Sequence, residues 1–172
     1  MNYKDLFSET VTVSALAANI LGAHVVKESQ ELIRTPGCVI SVVNLSGVEL
    51  FKTHTSDDVL PISHEAAYKK AITALAFKKS TYALSHDEPD LILPEKYCMW
   101  QGGILIPCIN ENISSDTLEY FDRFLDFIQH YSSGHCGAIG VSGFDGETDE
   151  KAAARGLWCW FSELKEQGFF KS

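Results

Sequence analysis

Features of several common functional classes are missing from this sequence. Lysine and arginine number 14 against 23 aspartates and glutamates, the net charge is −9, and the basic residues form no cluster beyond two lysine pairs. Such a charge disfavours binding to nucleic acid or to an anionic membrane. No signal peptide is visible in the first ten residues, and no apolar run is long enough to span a bilayer. We therefore expect a cytoplasmic protein with no membrane or nucleic-acid partner.

The cysteines do not form the pattern of a disulfide framework or of a metal centre. There are five, an odd number, and no two are spaced as Cys-x-x-Cys. Reduced and mostly buried thiols are therefore the expected state. The standard motifs of zinc proteases, nucleotide-binding loops and serine hydrolases are absent too, and the six histidines have no metal-ligand spacing. No metal site is predicted.

The 172 residues suffice for one domain, and their apolar spacing, caps and turns predict four long helices and about five strands. The predicted helices start at Ser14, Ser63, about residue 116 and Thr148. The predicted strands are 38–43, 48–54, 97–100, 104–106 and 136–141. Hairpins, rather than regular β-α-β alternation, indicate an α+β domain with a twisted antiparallel sheet packed between helices.

The segment from Gly134 to Glu150 combines a glycine-containing apolar strand with an acidic helix start. Glycines inside a strand allow close approach of another group, which is either a packed element or a ligand. Thr148 is the expected helix N-cap, and Asp149 follows in the first turn. Carboxylates at a helix start disfavour an anionic guest, so a phosphate-binding loop is not predicted.

Lys70 has an unusual predicted environment for a charged residue. It lies among alanines and a threonine, where a lysine needs a carboxylate partner or a ligand unless its stem extends to solvent. The same helix is predicted to begin at Ser63, after a loop that carries Asp57 and Asp58. These polar groups are predicted to converge on one small pocket, with glycines 102–103 and 137–143 as its open walls.

Several of these segments, taken together, resemble a known family. The sequence Gly-Ala-Ile-Gly-Val-Ser-Gly at 137–143 precedes an Asp-Glu pair and an alanine-rich helix, and Lys-Ala-Ile-Thr-Ala-Leu-Ala-Phe at 70–77 precedes Thr81. The hairpin at 42–47 and the glycine pair at 102–103 add two further blocks. In this order, over roughly residues 14–160, the blocks are similar to those of the GlcG/HbpS family. That family is also called the haem-degrading domain and includes the C-terminal domain of PduO-type proteins.

The sequence departs from the pattern of that family at three places. Asn44 stands where the family hairpin has an aspartate, and Thr55 stands at or next to its loop arginine. The segment 110–134 replaces a short β-hairpin by an inserted loop and an aromatic helix, for which core packing is the expected role. Residues 1–13 are predicted to form an N-terminal arm, and the whole chain, 1–172, to be a single domain of this type.

The resemblance implies an oligomeric protein that binds a small ligand, with haem or a related tetrapyrrole as the leading candidate. His54 or His24 would then ligate the iron. The other residues expected to contact the ligand are Gly102, Gly103, Gly140, Ser142 and Gly143. The large number of aromatic residues also predicts a closed homo-oligomer, at least a dimer.

Two other functions are compatible with the sequence. One is an enzyme that acts on a small organic molecule by acid–base chemistry in the same pocket. Its catalytic groups would be Lys70, Asp57, Asp58 and Ser63. The other is a non-catalytic subunit whose aromatic helix recruits a partner protein.

Overall fold

A computed structural model of the protein describes residues 12–33, 36–108, 113–143 and 145–170. The helices among them are α1 (Ala15–Leu32), α2 (Pro61–Phe77), α3 (Thr81–Asp87), α4 (Phe121–His130) and α5 (Gly146–Glu166). A short 3₁₀-helix spans Ser115–Leu118. The strands are β1 (Val39–Asn44), β2 (Glu49–His54), β3 (Gly103–Pro107) and β4 (His135–Ser142).

The strands form one antiparallel sheet in the order β2-β1-β4-β3. Gly140 of β4 is opposite Ser41 of β1 on one side and Gly103 of β3 on the other. The central strands β1 and β4 are buried along almost their whole length, which indicates that both faces of the sheet are covered. The predicted α+β class and the antiparallel sheet are confirmed.

The strand predicted at 97–100 is wrong, so the described residues contain four strands rather than about five. The N–H of Tyr97 donates to the Pro94 carbonyl in a turn at 3.0 Å. The N–H of Cys98 donates to the hydroxyl of Thr73 on α2 at 2.9 Å. Backbone groups bound to a turn and to a helix side chain cannot take part in a strand ladder.

Helices lie on both faces of the sheet. Neighbouring residues of a strand point to opposite faces, so Gly140 and Ile139 face opposite sides. At Gly140 the backbone of α2 comes so close that a β-carbon there would be 1.8 Å from the carbonyl oxygen of Ala67. Ile139 and Phe51 are both paired with Val42 of β1, so they point to the same face of the sheet. On that face the ring of Phe51 packs against Gly22 of α1. Helix α2 therefore covers one face, and α1 the other.

The predicted helix starts are partly right. Ser14 caps α1 as expected, because its hydroxyl accepts a hydrogen bond from a first-turn amide at 3.1 Å. Helix α2 begins at Pro61, whose fixed φ suits the first helical position, so Ser63 lies inside the first turn and does not cap it. Helix α5 is capped by Asp145, which accepts from a first-turn amide at 3.0 Å, and not by Thr148.

The inserted segment adds α4 to the helical layer beside α5. Helix α4 begins after Tyr120, so Asp116 belongs to the preceding 3₁₀-helix and does not cap it. Phe124 is fully buried, with its ring 6.2 Å from that of Phe161 on α5. The core-packing role expected for the aromatic stripe is confirmed at Phe124, whereas Phe121 and Phe127 are only partly buried against the same core. Residues 110–112 of the segment lie outside the described residues.

Both residues that depart from the family hairpin and loop take part in local hydrogen bonds. The side-chain oxygen of Asn44 accepts from the amides of Ser46 and Val48, both at 3.0 Å, and so closes the β1–β2 turn. The hydroxyl of Thr55 accepts from the amide of Cys38 at 2.9 Å. Asn44 and Thr55 are therefore neutral side chains that accept hydrogen bonds from backbone amides, Asn44 at the turn and Thr55 at the end of the strand.

The remaining expectations concern the cysteines, the membrane and the N-terminal arm. All five cysteines are free thiols, and Cys38 and Cys136 are buried. None of the helices in the described parts of the chain is long and apolar enough to cross a membrane. Residues 1–11 of the predicted arm lie outside the described residues, while Val13 is buried and its N–H donates to the Cys136 carbonyl at 2.7 Å.

Candidate ligand-binding site

Lys70 lies in the middle of α2 and is 1% exposed. Its ammonium group donates to a carboxylate oxygen of Asp149, in the first turn of α5, at 3.0 Å. It also donates to the carbonyl oxygen of Val141, near the end of β4, at 2.9 Å. The sequence left open whether Lys70 has a carboxylate partner, binds a ligand or extends to solvent. In the structure it has a carboxylate partner, Asp149.

The other oxygen of Asp149 extends the same network to the end of β4. It accepts from the amide of Gly143 at 2.9 Å, and the hydroxyl of Ser63 donates to the Gly143 carbonyl at 3.3 Å. Burial raises the pKa of Asp149, while the Lys70 ammonium and the Gly143 amide act in the opposite direction. These contacts connect α2, β4 and α5, and they bring Lys70 and Ser63 to the same strand end.

The glycines predicted to form open walls are in contact with the backbone of neighbouring elements. A β-carbon at Gly103 would lie 2.3 Å from the carbonyl oxygen of Lys70. Gly102 has a φ of +124°, and a β-carbon there would lie 2.4 Å from the Val141 carbonyl oxygen. The same holds for Gly140, which lies against Ala67. Close packing between α2 and the strand ends leaves no room for a β-carbon at these three positions, and this explains why they are glycines.

The acidic loop does not contact Lys70. Asp57 is exposed and approaches His54, with 3.7 Å between its oxygen and the imidazole nitrogen. Asp58 accepts hydrogen bonds from the amide of Gly37 at 3.0 Å and from the Ser56 hydroxyl, and the Ser56 bond is the main cause that lowers the pKa of Asp58. Both aspartates are therefore engaged within their own loop and the adjoining strand ends.

The two histidines predicted as iron ligands lie in different places. His24 on α1 approaches Glu163 of α5 at 3.3 Å. His54, at the end of β2, has its ring 5.8 Å from that of His64 on α2 in an edge-to-face arrangement. Within the described residues, no group of three or more His, Cys, Asp or Glu side chains is arranged to hold a metal ion.

A ligand-sized apolar cleft lies where the segment 97–100 passes over α2, and we name it the Trp100 cleft. Its volume is about 520 Å³. Its lining residues are Ile62, Glu65, Ala66, Lys69, Ser85, Tyr97, Cys98, Met99 and Trp100. Trp100 and Ile62 keep 57% and 56% of their surfaces exposed and line the same cleft, and exposed apolar side chains grouped in one place are typical of binding surfaces.

The Trp100 cleft contains the side-chain types that bind haem iron and haem propionates. Tyr97, Cys98 and Met99 are potential axial ligands, and Lys69 is a cation beside them. Burial raises the pKa of the Cys98 thiol, so this thiol is neutral at physiological pH unless a metal binds it. Lys69 is paired with Glu65 one turn earlier on α2. The donor set of the cleft therefore fits a haem group.

Sequence reasoning missed this cleft because residues 97–100 were interpreted as a strand. The signal was present in the composition, since Tyr, Cys, Met and Trp in a row provide three iron donors and a large flat ring. The partners of this segment on α2 are more than twenty residues away in sequence, as the Cys98–Thr73 hydrogen bond illustrates. Only the folded chain places Ile62 and Lys69 beside it.

A sequence comparison identifies the family. The chain matches the family described as "Haem degrading protein HbpS-like" over residues 13–114, which extend from the start of α1 past β3. The inserted helix α4 and β4 lie beyond the matched range. No curated protein sequence matches the chain significantly.

Solved structures share the fold. The PduOC–haem complex is 25% identical with a TM-score of 0.61, covering 85% of this chain and 93% of that chain. The Ybr137w protein is 20% identical with a TM-score of 0.66, covering 94% and 87%. A double mutant of Streptomyces reticuli HbpS is 21% identical with a TM-score of 0.63, covering 85% of each chain.

Proposed function

The chain belongs to the HbpS-like family of haem-degrading proteins, and we propose from this premise that it binds haem or a related tetrapyrrole in the Trp100 cleft. The observation that carries the proposal is a half-exposed Trp100 and Ile62 beside three potential iron donors and Lys69. A similar protein of known structure is a haem complex. The volume of about 520 Å³ lies within the usual range for cofactor sites.

The residues of the cleft would divide the binding between them. The flat ring of Trp100 and the side chain of Ile62 would cover the apolar face of the macrocycle. Lys69 would exchange its exposed partner Glu65 for a propionate, at little cost because exposed ion pairs are weak. Cys98 or Met99 would ligate the iron. Haem, when bound, supplies an iron centre for electron transfer and oxygen chemistry.

A hemin titration tests the proposal. We expect the wild-type protein to give a saturable shift of the Soret band. Trp100→Ala and the double variant Cys98→Ala/Met99→Ala should each weaken binding at least about tenfold, which corresponds to about 1.4 kcal/mol. Ile92→Ala is the matched control, because Ile92 is an apolar residue that is 91% exposed and does not line the cleft.

The same titration compares the cleft with the histidines predicted from the sequence. We expect His54→Ala and His24→Ala to bind hemin like the wild type, because neither residue lines the Trp100 cleft. If either histidine variant lost hemin binding while the cleft variants kept it, the Trp100 cleft would not be the haem site. The result would instead support that histidine as the iron ligand. A wild-type titration like that of an unrelated acidic protein would contradict haem binding altogether.

The enzyme alternative is less well supported. Its proposed groups Lys70 and Ser63 are buried and bonded to Asp149 and to the end of β4, whereas Asp57 and Asp58 are engaged elsewhere. A general acid or base needs to reach a substrate. Binding without turnover is therefore the favoured proposal, and the homo-oligomer stays a prediction from the sequence.

A further inference from the structure

A second cavity, separate from the Trp100 cleft, lies between α3, α4 and the start of α5. Its volume is about 400 Å³, at the small end of the range for ligand sites. Tyr82 and His86 line it from α3, Gln129 from α4, Gln101 from the loop before β3, and Glu150 from α5. Most of these side chains are polar, which distinguishes this cavity from the apolar cleft and from the core.

Glu150 is the unusual member of this cavity. It is 1% exposed although it carries an ionisable group. One of its carboxyl oxygens accepts from the side-chain amide of Gln129 at 3.0 Å. The other oxygen, Oε1, is buried and has no hydrogen-bond partner among the described residues. An unpartnered oxygen on a buried carboxyl is costly, because burial removes the water that would otherwise bind it.

The positive charges near Glu150 are bound to other acceptors. Lys151 donates to Glu147 at 2.8 Å. Lys70 donates to Asp149 and to the Val141 carbonyl. The Nδ1 atom of His86 lies 2.8 Å from the carbonyl oxygen of Tyr82 in its own helix. The free oxygen of Glu150 therefore has no cationic partner within the described part of the chain.

We propose that this cavity binds a small organic cation, with a primary ammonium or amidinium head group that donates to Oε1 of Glu150. A charged donor gives the strongest hydrogen bond that a carboxylate oxygen can accept. The side-chain oxygens of Gln101 and Gln129 offer further acceptors. Tyr82 and Leu125 supply an apolar surface for the carbon part of the ligand.

Binding of such a cation should depend on pH in the physiological range. Burial, the largest cause, raises the pKa of Glu150 to about 7, while the Gln129 hydrogen bond and the His86 charge oppose this shift. The ionised fraction then grows from about a tenth at pH 6 to about nine tenths at pH 8. Affinity for a cation should rise about tenfold over the same interval, because only the carboxylate attracts it.

Titration calorimetry with butylammonium on the full chain tests the proposal, with butanol and butyrate as neutral and anionic counterparts. We expect saturable binding of butylammonium alone, about tenfold tighter at pH 8 than at pH 6. Glu150→Gln should weaken it at least tenfold and abolish the pH dependence. Glu166→Gln is the matched control, since Glu166 is an exposed acid at the far end of the same helix.

The charged groups around Glu150 are His86 from α3, Lys70 from α2, and Glu147 and Lys151 from α5 itself. Repeating the pH series with His86→Gln separates the charge of the imidazole from that of Glu150, and the tenfold rise should persist. Loss of the rise in this variant, with Glu150→Gln still pH-dependent, would overturn the assignment to Glu150.

A second measurement keeps the proposal testable if Glu150→Gln does not fold. In the wild type at pH 6.5, infrared difference spectroscopy should detect the loss of a protonated-carboxyl band when butylammonium is added, because a bound cation favours the ionised form. An unchanged carboxyl band at saturation would overturn the proposal. So would equal binding of butyrate, or no saturable binding of butylammonium.

Discussion

At the scale of single residues, the buried ion pair of Lys70 and Asp149 is the centre of the packing between α2, β4 and α5. Both side chains are almost fully buried, with 2% and 3% of their surfaces exposed, and 3.0 Å separates their charged atoms. The neighbouring ion pair of Lys69 with Glu65 is on the surface of the same helix. The two adjacent lysines therefore differ in their ion pairs: that of Lys70 is buried between elements, whereas that of Lys69 is exposed on one helix.

Lys70→Met should destabilise the fold by roughly 3–5 kcal/mol, because it leaves Asp149 buried without its cation. Asp149→Asn should lower the unfolding free energy by a similar amount, because it leaves Lys70 buried without its carboxylate. The double variant should lose less than the sum of the two, since it leaves no unpaired charge. Denaturant unfolding followed by circular dichroism measures these free energies.

Lys69→Met is the matched control for this prediction, and it should leave the unfolding midpoint nearly unchanged, because Lys69 reaches solvent and its ion pair is with the exposed Glu65. If Lys70→Met behaved like Lys69→Met in the same measurement, the structural role of the buried pair would be contradicted.

At the scale of elements, the small residues of α2 and of the strands allow the helix backbone to lie directly on the sheet. Ala67 and Ala71 on α2 contact the position of Gly140 on β4, and Lys70 contacts that of Gly103 on β3. The sequence signal of this packing was visible as glycines in strands and alanines in a helix. It favoured packing but was also compatible with a ligand approaching the strand, which is why the sequence left both interpretations open.

Gly140→Ala should destabilise the protein by about 3 kcal/mol, at the upper end of the range for overpacking, because the new methyl group would lie 1.8 Å from a backbone carbonyl oxygen. Thermal unfolding measures the loss.

Gly146→Ala is the control for this change. Among the described residues outside its own helix, the atom nearest to a β-carbon there would be Cβ of Gln101 at 3.2 Å. Alanine also suits a helix better than glycine, so stability should stay within about 1 kcal/mol. Equal effects of the two substitutions would contradict the close contact of α2 with β4.

At the scale of the whole molecule, stability should depend on the protonation of Glu150. Burial raises its pKa from 4.5 to about 7, so the folded state holds this proton more tightly than the unfolded state. The resulting stabilisation is complete below pH 4.5 and is lost as the pH rises through about 7. At about 1.36 kcal/mol per pKa unit, the loss is about 3 kcal/mol.

Unfolding free energies measured from pH 4.5 to pH 8 check this prediction. Between pH 4.5 and pH 8 the wild type should lose about 3 kcal/mol of unfolding free energy relative to Glu150→Gln, because glutamine cannot lose a proton. Glu166→Gln should instead follow the wild type at every pH. Parallel curves for the wild type and Glu150→Gln would contradict the raised pKa.

The α+β class, the long helices, the β1–β2 hairpin and the position of β4 were predictable because their signals are local. Apolar periodicity and β-branched runs act within a few residues of one another. The caps were less predictable: Ser14 caps α1, but Pro61 and Asp145, rather than Ser63 and Thr148, define the starts of α2 and α5. Several polar residues compete at each helix start, and the loop geometry selects among them.

The sequence by itself determined that Lys70 needed a partner if it was buried, because a lysine among small apolar residues cannot be buried alone, but it left open whether the stem reached solvent instead. Only the tertiary structure decided that the partner is Asp149, 79 residues away. The same holds for the Trp100 cleft and for the free oxygen of Glu150, since each depends on side chains from elements that are distant in the chain. Local patterns encode the elements, whereas pairings between distant groups depend on how those elements pack.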